Sequence, residues 1–191
     1  RRNVFWTDGV PFTAQDVKVT YEGMLNADSG VPALADLREI ERIEAPNDYT
    51  AVFHLGEPNA LVLATLGGYC TAGIVPAHIF GEVPYGQWRG YWTEPNQVVS
   101  LGAYKLVEFV PGTRYVLEAN PNYWQGEPFV DRIEVVVISE TATAISALKT
   151  GEVDILVPEY SGPEMVAELD SLREAGVDTS FVLWPAVSYL G

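Results

Sequence analysis

The sequence predicts an α/β protein in two parts: a smaller mixed α+β region, then a region where strands and helices alternate. Three observations carry this. A capped amphipathic helix opens after Phe12, and two strand-like runs follow it around Pro46-Asn47-Asp48. From Tyr104 onward a hairpin leads into apolar runs that alternate with capped helical patterns. Between them, Pro76 to Pro95 is rich in glycine, proline and aromatic residues and has no clear period, so the boundary is drawn at 1–96 and 97–191.

Each element has a local reason. Thr13 is an N-cap whose hydroxyl accepts from free first-turn amides, and Asp16 stands three residues on, where its carboxylate reaches back to the cap. Phe12 and Val17 take the staple positions around that cap. Val17, Tyr21, Met24 and Leu25 then share one helical face until Asp28-Ser29-Gly30-Val31-Pro32 stops the helix. Strands are expected over 40–45 and 49–55, the second burying Tyr49, Ala51, Phe53 and Leu55. Asn59 reads as the cap of a short helix ending at Gly67-Gly68. In the second half, strands over 104–109 and 115–119 flank a turn with Gly112. The continuous apolar run 133–138 predicts a strand buried on both faces. Ser139 caps a helix ended by Gly151, 153–157 is a short strand, Ser161-Gly162-Pro163-Glu164 opens another helix, and 180–184 is a last strand. That order predicts right-handed crossovers in one sheet.

Composition narrows the function. The 191 residues carry 26 acidic against 11 basic side chains, a net charge of -15, which repels phosphate backbones and anionic membranes. Nucleic acid is therefore excluded as a partner. With 48% hydrophobic and 19% charged residues the chain has a globular balance. No apolar run approaches the roughly 20 residues of a membrane span. Cys70 is the single cysteine, and with His54 and His78 it shows no metal-ligand spacing, so neither a metal nor a cofactor is expected. Cys70 and His78 lie in no cysteine-hydrolase phrase, and no phosphate loop, GxSxG turn or HExxH helix occurs. The sequence predicts a protein that is not an enzyme.

Two phrases about a hundred residues apart are more specific. The first is Trp6-Thr7-Asp8-Gly9-Val10-Pro11-Phe12-Thr13-Ala14-Gln15-Asp16-Val17; the second is Leu101-Gly102-Ala103-Tyr104-Lys105-Leu106, running on to Asn120-Pro121-Asn122-Tyr123-Trp124. With Ala147-Leu148-Lys149 and Gly151-Glu152-Val153-Asp154 they make four landmarks in one order. In these the chain resembles the extracytoplasmic solute-binding proteins of ABC importers, in the group that binds oligopeptides, dipeptides and nickel. The resemblance implies a partial type II periplasmic-binding-protein fold: 1–96 as the smaller subdomain, 97–191 as part of the first lobe. It implies that the chain is a piece of a longer protein, with the export signal, the first strands of that lobe and the opposing lobe lying outside it. The partners implied are a peptide or small-molecule ligand and the ABC permease subunits, on the periplasmic or extracellular face of the cytoplasmic membrane, with a lipid anchor as one mode of attachment. A non-transport sensor or interaction module on the same fold is the alternative.

The landmark residues themselves read as carriers of the fold, since a fold match is not a site. Two segments are candidates for ligand contact. Gly68-Tyr69-Cys70 lies where the resembling peptide binders have a pocket residue, and Trp184 to Tyr189 lies where oligopeptide binders have an aromatic run entering the other lobe. The candidate ligand-binding residues are Tyr69, Cys70, Trp184 and Tyr189. A tyrosine offers apolar area and one directed hydrogen bond at low entropic cost; core packing is the competing reading for Trp184, and a hinge or surface role for Tyr189. Trp88, Tyr91 and Trp92 form an aromatic cluster, read as pinning a long loop rather than as a platform for a sugar or cation. Holding at most half of the cleft that the resemblance implies, this chain alone is expected to bind ligand weakly, and exposed sheet edges and apolar patches where an opposing lobe would sit predict self-association.

Overall fold

The computed structural model describes residues 1–29, 35–67, 73–88, 91, 97–157 and 163–177. The chain divides into two compact units, Arg1–Val135 and Val136–Gly191.

The first unit is organised around helix α1, Ala14–Leu25. Its capping box forms in full: Gln15 N donates to Thr13 Oγ1 at 3.2 Å, and Thr13 N donates to Asp16 Oδ2 at 2.6 Å. The Phe12 ring stands edge-on to Trp6, with centroids 6.0 Å apart. One side of α1 packs Tyr21 and Met24 against Leu37, Ile40 and Ile43, with Val17, Leu25, Phe53 and Leu66 around them. Its other side packs Val19 against Phe80 and Trp88. An amphipathic helix ordinarily has one apolar stripe; this one is buried on two sides, so Gly23 is needed where the Trp88 ring crosses it.

The predicted hairpin is strands β1, Ile40–Asn47, and β2, Thr50–Leu55, paired antiparallel. Its turn is tighter than the sequence suggests. Asn47 pairs with Thr50, so Pro46 lies within β1, at the register irregularity where proline is tolerated. Tyr49 is consequently a turn residue, its amide donating to Asn47 Oδ1 at 3.0 Å and its side chain 61% exposed, and not part of a buried face. Asn59 accepts from Leu61 N at 2.7 Å in a local turn, and helix α2 follows as Val62–Leu66. The loop-like stretch after Pro76 contains a one-turn helix α3, Ala77–Phe80, and a 3₁₀ turn, Tyr85–Gln87, both too short to leave a period in sequence.

A second sheet runs β3 (Tyr104–Val110), β4 (Arg114–Ala119), β5 (Arg132–Val136), with β3 and β4 antiparallel across the Gly112 turn, where φ is +70°. One face is a ladder of charges: Arg114 donates to Glu108 at 2.7 Å and to Glu134 at 2.9 Å, and Arg132 to Glu118 at 3.3 Å. The other carries Leu106 opposite Leu117 and Phe109 opposite Tyr115, with Ile133 and Val135 on β5. The apolar run 133–138 is therefore not a strand buried on both faces. Its exposure alternates along β5, because Arg132, Glu134 and Val136 point to the solvent-exposed charged face and Ile133 and Val135 to the other.

In the second unit helix α4, Thr141–Thr150, begins at Glu140 without a side-chain cap, so Ser139 does not play the predicted part. Gly151 ends it at φ +73°, in the left-handed conformation that glycine adopts without cost. Lys149 Nζ joins α4 to α5, Pro163–Glu174, through Glu168 at 3.0 Å and Ser171 at 2.7 Å. Residues 153–157 form no strand; Ile155 is 78% and Val157 83% exposed, since no described strand pairs with them. The predicted strand 180–184 and the Ser161 cap lie outside the described residues, as does any crossover that would use them.

Candidate functional site

Two constructions in the first unit bear on function: a neck where the landmark phrases meet, and a set of anchors on α1. At the neck, Thr7 N donates to Ser100 O at 2.9 Å and Ser100 N donates to Thr7 Oγ1 at 3.1 Å, joining residues 93 apart in sequence. Ser100 Oγ accepts from Gly102 N at 3.3 Å. Asn120, 2% exposed, donates through Nδ2 to Gly102 O at 3.1 Å and through its backbone to Ala103 O at 2.8 Å, while its Oδ1 accepts from Asn122 N. The Arg1 guanidinium lies 4.0 Å over the Trp124 ring. The Trp-Thr-Asp-Gly, Leu-Gly-Ala-Tyr and Asn-Pro-Asn phrases are thus one connected network, held together by bonds of Thr7, Ser100 and Asn120 to backbone.

Asp8, at the tip of the turn closed by Gly9 (φ +89°), accepts from Val10 N and reaches His78 Nε2 at 2.7 Å. His78 and Asp8 resemble the base and orienter of a catalytic set, but no described nucleophile is bonded to His78. The pair fastens α3 to the opening turn.

The anchors are Asp16 and Thr20, one helical turn apart on α1 and both buried. Asp16 Oδ1 accepts from Ala77 N at 2.7 Å while Oδ2 holds the cap; Thr20 Oγ1 donates to Asp16 O at 2.7 Å and accepts from Val75 N at 2.9 Å. Tyr21 Oη donates to Leu66 O at 2.9 Å. Leu66 and Val75, on either side of 68–72, are thereby both tied to α1. Sequence reasoning saw Asp16 as a cap and missed its second bond, to a residue 61 positions away. A polar pair at i, i+4 on an otherwise apolar helix side was the available signal.

Tyr69, Cys70, Trp184 and Tyr189 all lie outside the described residues, as does Trp92. Trp88 and Tyr91 pack against Phe80 with centroids 5.1 and 5.0 Å apart, and Trp88 Nε1 donates to Val83 O at 3.1 Å, which pins the loop as expected.

A concavity of about 880 Å³ lies between the outer side of α1 and residues 77–85, with Val19 and Phe80 in its floor and Glu22, Asp48, His78 and Glu82 among its polar lining. Its volume suits a small molecule, yet its most buried acid, Asp16, is fully committed. Elsewhere, burial raises the Tyr21 pKa, the Arg42 charge lowers that of Glu44, and hydrogen bonding to Glu108 raises that of Arg114. These serve packing and surface ion pairs. Among the described residues no group of three or more His, Cys, Asp or Glu side chains could hold a metal ion, and no helix is long and apolar enough to cross a membrane.

Comparison with known proteins bears on the same network. The profile described as "Bacterial extracellular solute-binding proteins, family 5 Middle" matches residues 1–183. A Brucella ovis protein provisionally named an ABC transporter peptide-binding protein is 32% identical over 188 residues, covering 97% of this chain and 34% of its own length. The chain spans about a third of the length of the curated relatives it matches. Among solved structures, the oligopeptide-binding protein AppA of Bacillus subtilis, in complex with a nonapeptide, aligns with a TM-score of 0.69 at 27% identity over 78% of this chain and 29% of that one. The ABC transporter substrate-binding protein CtaP of Listeria monocytogenes aligns with a TM-score of 0.76 over 92% of this chain and 34% of that one; at 23% identity it speaks for the fold alone.

Proposed function

Because the chain belongs to the bacterial extracellular solute-binding proteins of family 5, we propose that it serves in the substrate-binding component of an ABC importer. It takes up a peptide or similar small solute outside the cytoplasmic membrane and hands it to the permease without chemistry on the solute. The observation that carries this is the neck: the residues that mark the family are in contact through Thr7, Ser100, Gly102 and Asn120, in the arrangement a binding scaffold needs. That Bacillus subtilis AppA is an oligopeptide-binding protein supports a peptide as the solute.

Residues 1–96 are the smaller subdomain and 97–191 part of the first lobe; the Thr7–Ser100 pair closes the excursion between them. Tyr69 and Cys70 contact the ligand from a segment whose flanks are tied to α1, and Trp184 and Tyr189 contact it from the exit of the lobe. The protein works on the periplasmic or extracellular face of the cytoplasmic membrane, with a lipid anchor as one mode of attachment of the full-length protein. Ligand capture closes the two lobes by population shift, since the ligand touches both.

Native mass spectrometry of the full-length protein, gently purified from its own host, tests this. A ladder of added masses matching mixed short peptides is expected; one discrete non-peptide mass would replace peptide by a narrower solute. A bare protein that also fails to bind a pool of tri- to pentapeptides in calorimetry would overturn the peptide reading. Tyr69→Ala and Tyr189→Ala should each weaken binding by about tenfold, the usual cost of losing an aromatic anchor.

A further inference from the structure

We propose that Asp8 is a modification site, set up for isoaspartate formation with Gly9, and that His78 on α3 holds it shut. Asp-Gly is the dipeptide in which this reaction meets least hindrance, because glycine sets no Cβ beside the attacking amide nitrogen. The backbone nitrogen of Gly9 attacks Cγ of Asp8, one carboxyl oxygen leaves as water, and a five-membered succinimide ring forms. Water then adds back. Opening at the Asp8 main-chain carbonyl leaves the chain running through Cγ, longer by one carbon and unchanged in mass. No reagent other than water takes part.

The fold engages both reacting groups. The nucleophile is occupied, since Gly9 N donates to Trp6 O at 2.9 Å. The carboxylate is held on both oxygens: Val10 N donates to Oδ1 at 3.1 Å, and His78 Nε2 donates to Oδ2 at 2.7 Å. The backbone around them is fixed, with Trp6 N bonded to Val10 O at 2.8 Å and Phe12 N to Val4 O at 2.9 Å. Reaction therefore waits on rotation of the Asp8 side chain, and His78 makes the shorter of the two bonds that prevent it. His78 comes from 70 residues away and is itself placed by packing. Its ring stands edge-on to Trp6 with centroids 6.5 Å apart, and the preceding residue, Ala77, is tied to Asp16 on α1 at 2.7 Å. What it guards is the neck. Thr7, next to Asp8, meets Ser100 through both its N–H and its Oγ1, and an extra carbon between residues 8 and 9 would pull that pair out of register.

Ageing the full-length protein at physiological temperature and neutral pH tests this. Isoaspartate is read on the tryptic peptide spanning Asn3 to Lys18, by chromatographic separation of the isomers and by labelling with protein isoaspartyl methyltransferase. The parent, His78→Ala and His78→Gln are compared, with the urea-unfolded parent as the unguarded reference. Isoaspartate should accumulate slowly in the folded parent and about tenfold faster in His78→Ala, the factor in local opening that one hydrogen bond to a charged group contributes. His78→Gln keeps an N–H donor and should lie nearer the parent. Asp16→Asn, which loosens the hold on Ala77, should also speed the reaction at Asp8. Asp170-Ser171 in α5 is the internal control, since general loosening of the fold would raise its rate as well. An unchanged or slower rate at Asp8 in His78→Ala, a rise matched at Asp170-Ser171, or a folded parent as fast as the unfolded one would each overturn the proposal. The readout is chemical and needs no solute, so it stands or falls apart from the proposed function.

Discussion

Asp16→Asn is the sharpest test of how the candidate site is held. The Asp16 carboxylate takes two backbone donors, Thr13 N at 2.6 Å and Ala77 N at 2.7 Å, one on each oxygen, in a side chain only 2% exposed. Asparagine keeps a single acceptor. Whichever way the amide turns, its NH₂ group faces a backbone N–H, and one buried donor is left without a partner. The Thr13 cap bond to Gln15 N is untouched, so the cost is that of one orphaned buried donor opposite a formerly charged acceptor, about 1–3 kcal/mol. That is a sizeable part of the roughly 5–15 kcal/mol of a typical domain. Urea denaturation should show a lower midpoint at an unchanged slope, and amide exchange at Ala77 should accelerate more than exchange within α1. Thr20→Val, which removes the acceptor of Val75 N, should cost somewhat less and be sub-additive with Asp16→Asn, because both hold the same segment. An Asp16→Asn cost below about 0.5 kcal/mol, the range of ordinary surface substitutions, would refute this account.

Three other outcomes follow from the same geometry. Gly23→Ala should stabilise α1 by about 1 kcal/mol on helix propensity, but its methyl would overlap the Trp88 ring, so the measured change should be a loss of about 1–3 kcal/mol, with Trp88 fluorescence altered; a gain in melting temperature would count against the packing described. Tyr21 holds its proton more tightly folded than unfolded, so the stability it brings is whole below the free-tyrosine range and is lost as pH rises through its raised folded pKa; Tyr21→Phe should cost about 0.5–1.5 kcal/mol near neutrality through the lost bond to Leu66 O, and flatten the alkaline limb of stability against pH. Asn120→Asp replaces a donor to Gly102 O by a carboxylate facing that carbonyl in a buried place, and should cost about 2–4 kcal/mol, less at acid pH where the carboxyl is protonated and can donate.

Local chemistry was legible and long-range chemistry was not. The capping box of α1 involves residues three apart, and the β3–β4 hairpin is announced by its turn and alternation, so both follow from short windows. The tie from Asp16 to Ala77 spans 61 residues and has no periodic trace. The apolar run 133–138 was misread for a related reason: such a run reports what a strand can bury, not what stands beside it. At the other hairpin, Asn47 drew the turn one residue tighter than Pro46-Asn47-Asp48 implied, which moved Tyr49 from a strand face to the tip. The four candidate ligand contacts came from resemblance and not from any local signal. For Tyr69 and Cys70 the flanks bear on the matter: Leu66 and Val75 are fixed to one helix.

The division of labour within the network explains why the family is recognisable at about 30% identity or below. Thr7, Ser100, Gly102 and Asn120 bond to backbone, so substitutions at most other positions leave the neck intact, while a change within it removes a bond that no neighbour can replace. The same residues have little left to offer a ligand: Asn120 uses both its carboxamide groups, and Thr7 and Ser100 hold each other. On the proposed function, selectivity is then expected in residues that the landmarks position but do not include. Exchanging residues 68–72 with those of a relative of different specificity should shift ligand preference while leaving stability near its starting value. Exchanging the neck residues should do the reverse.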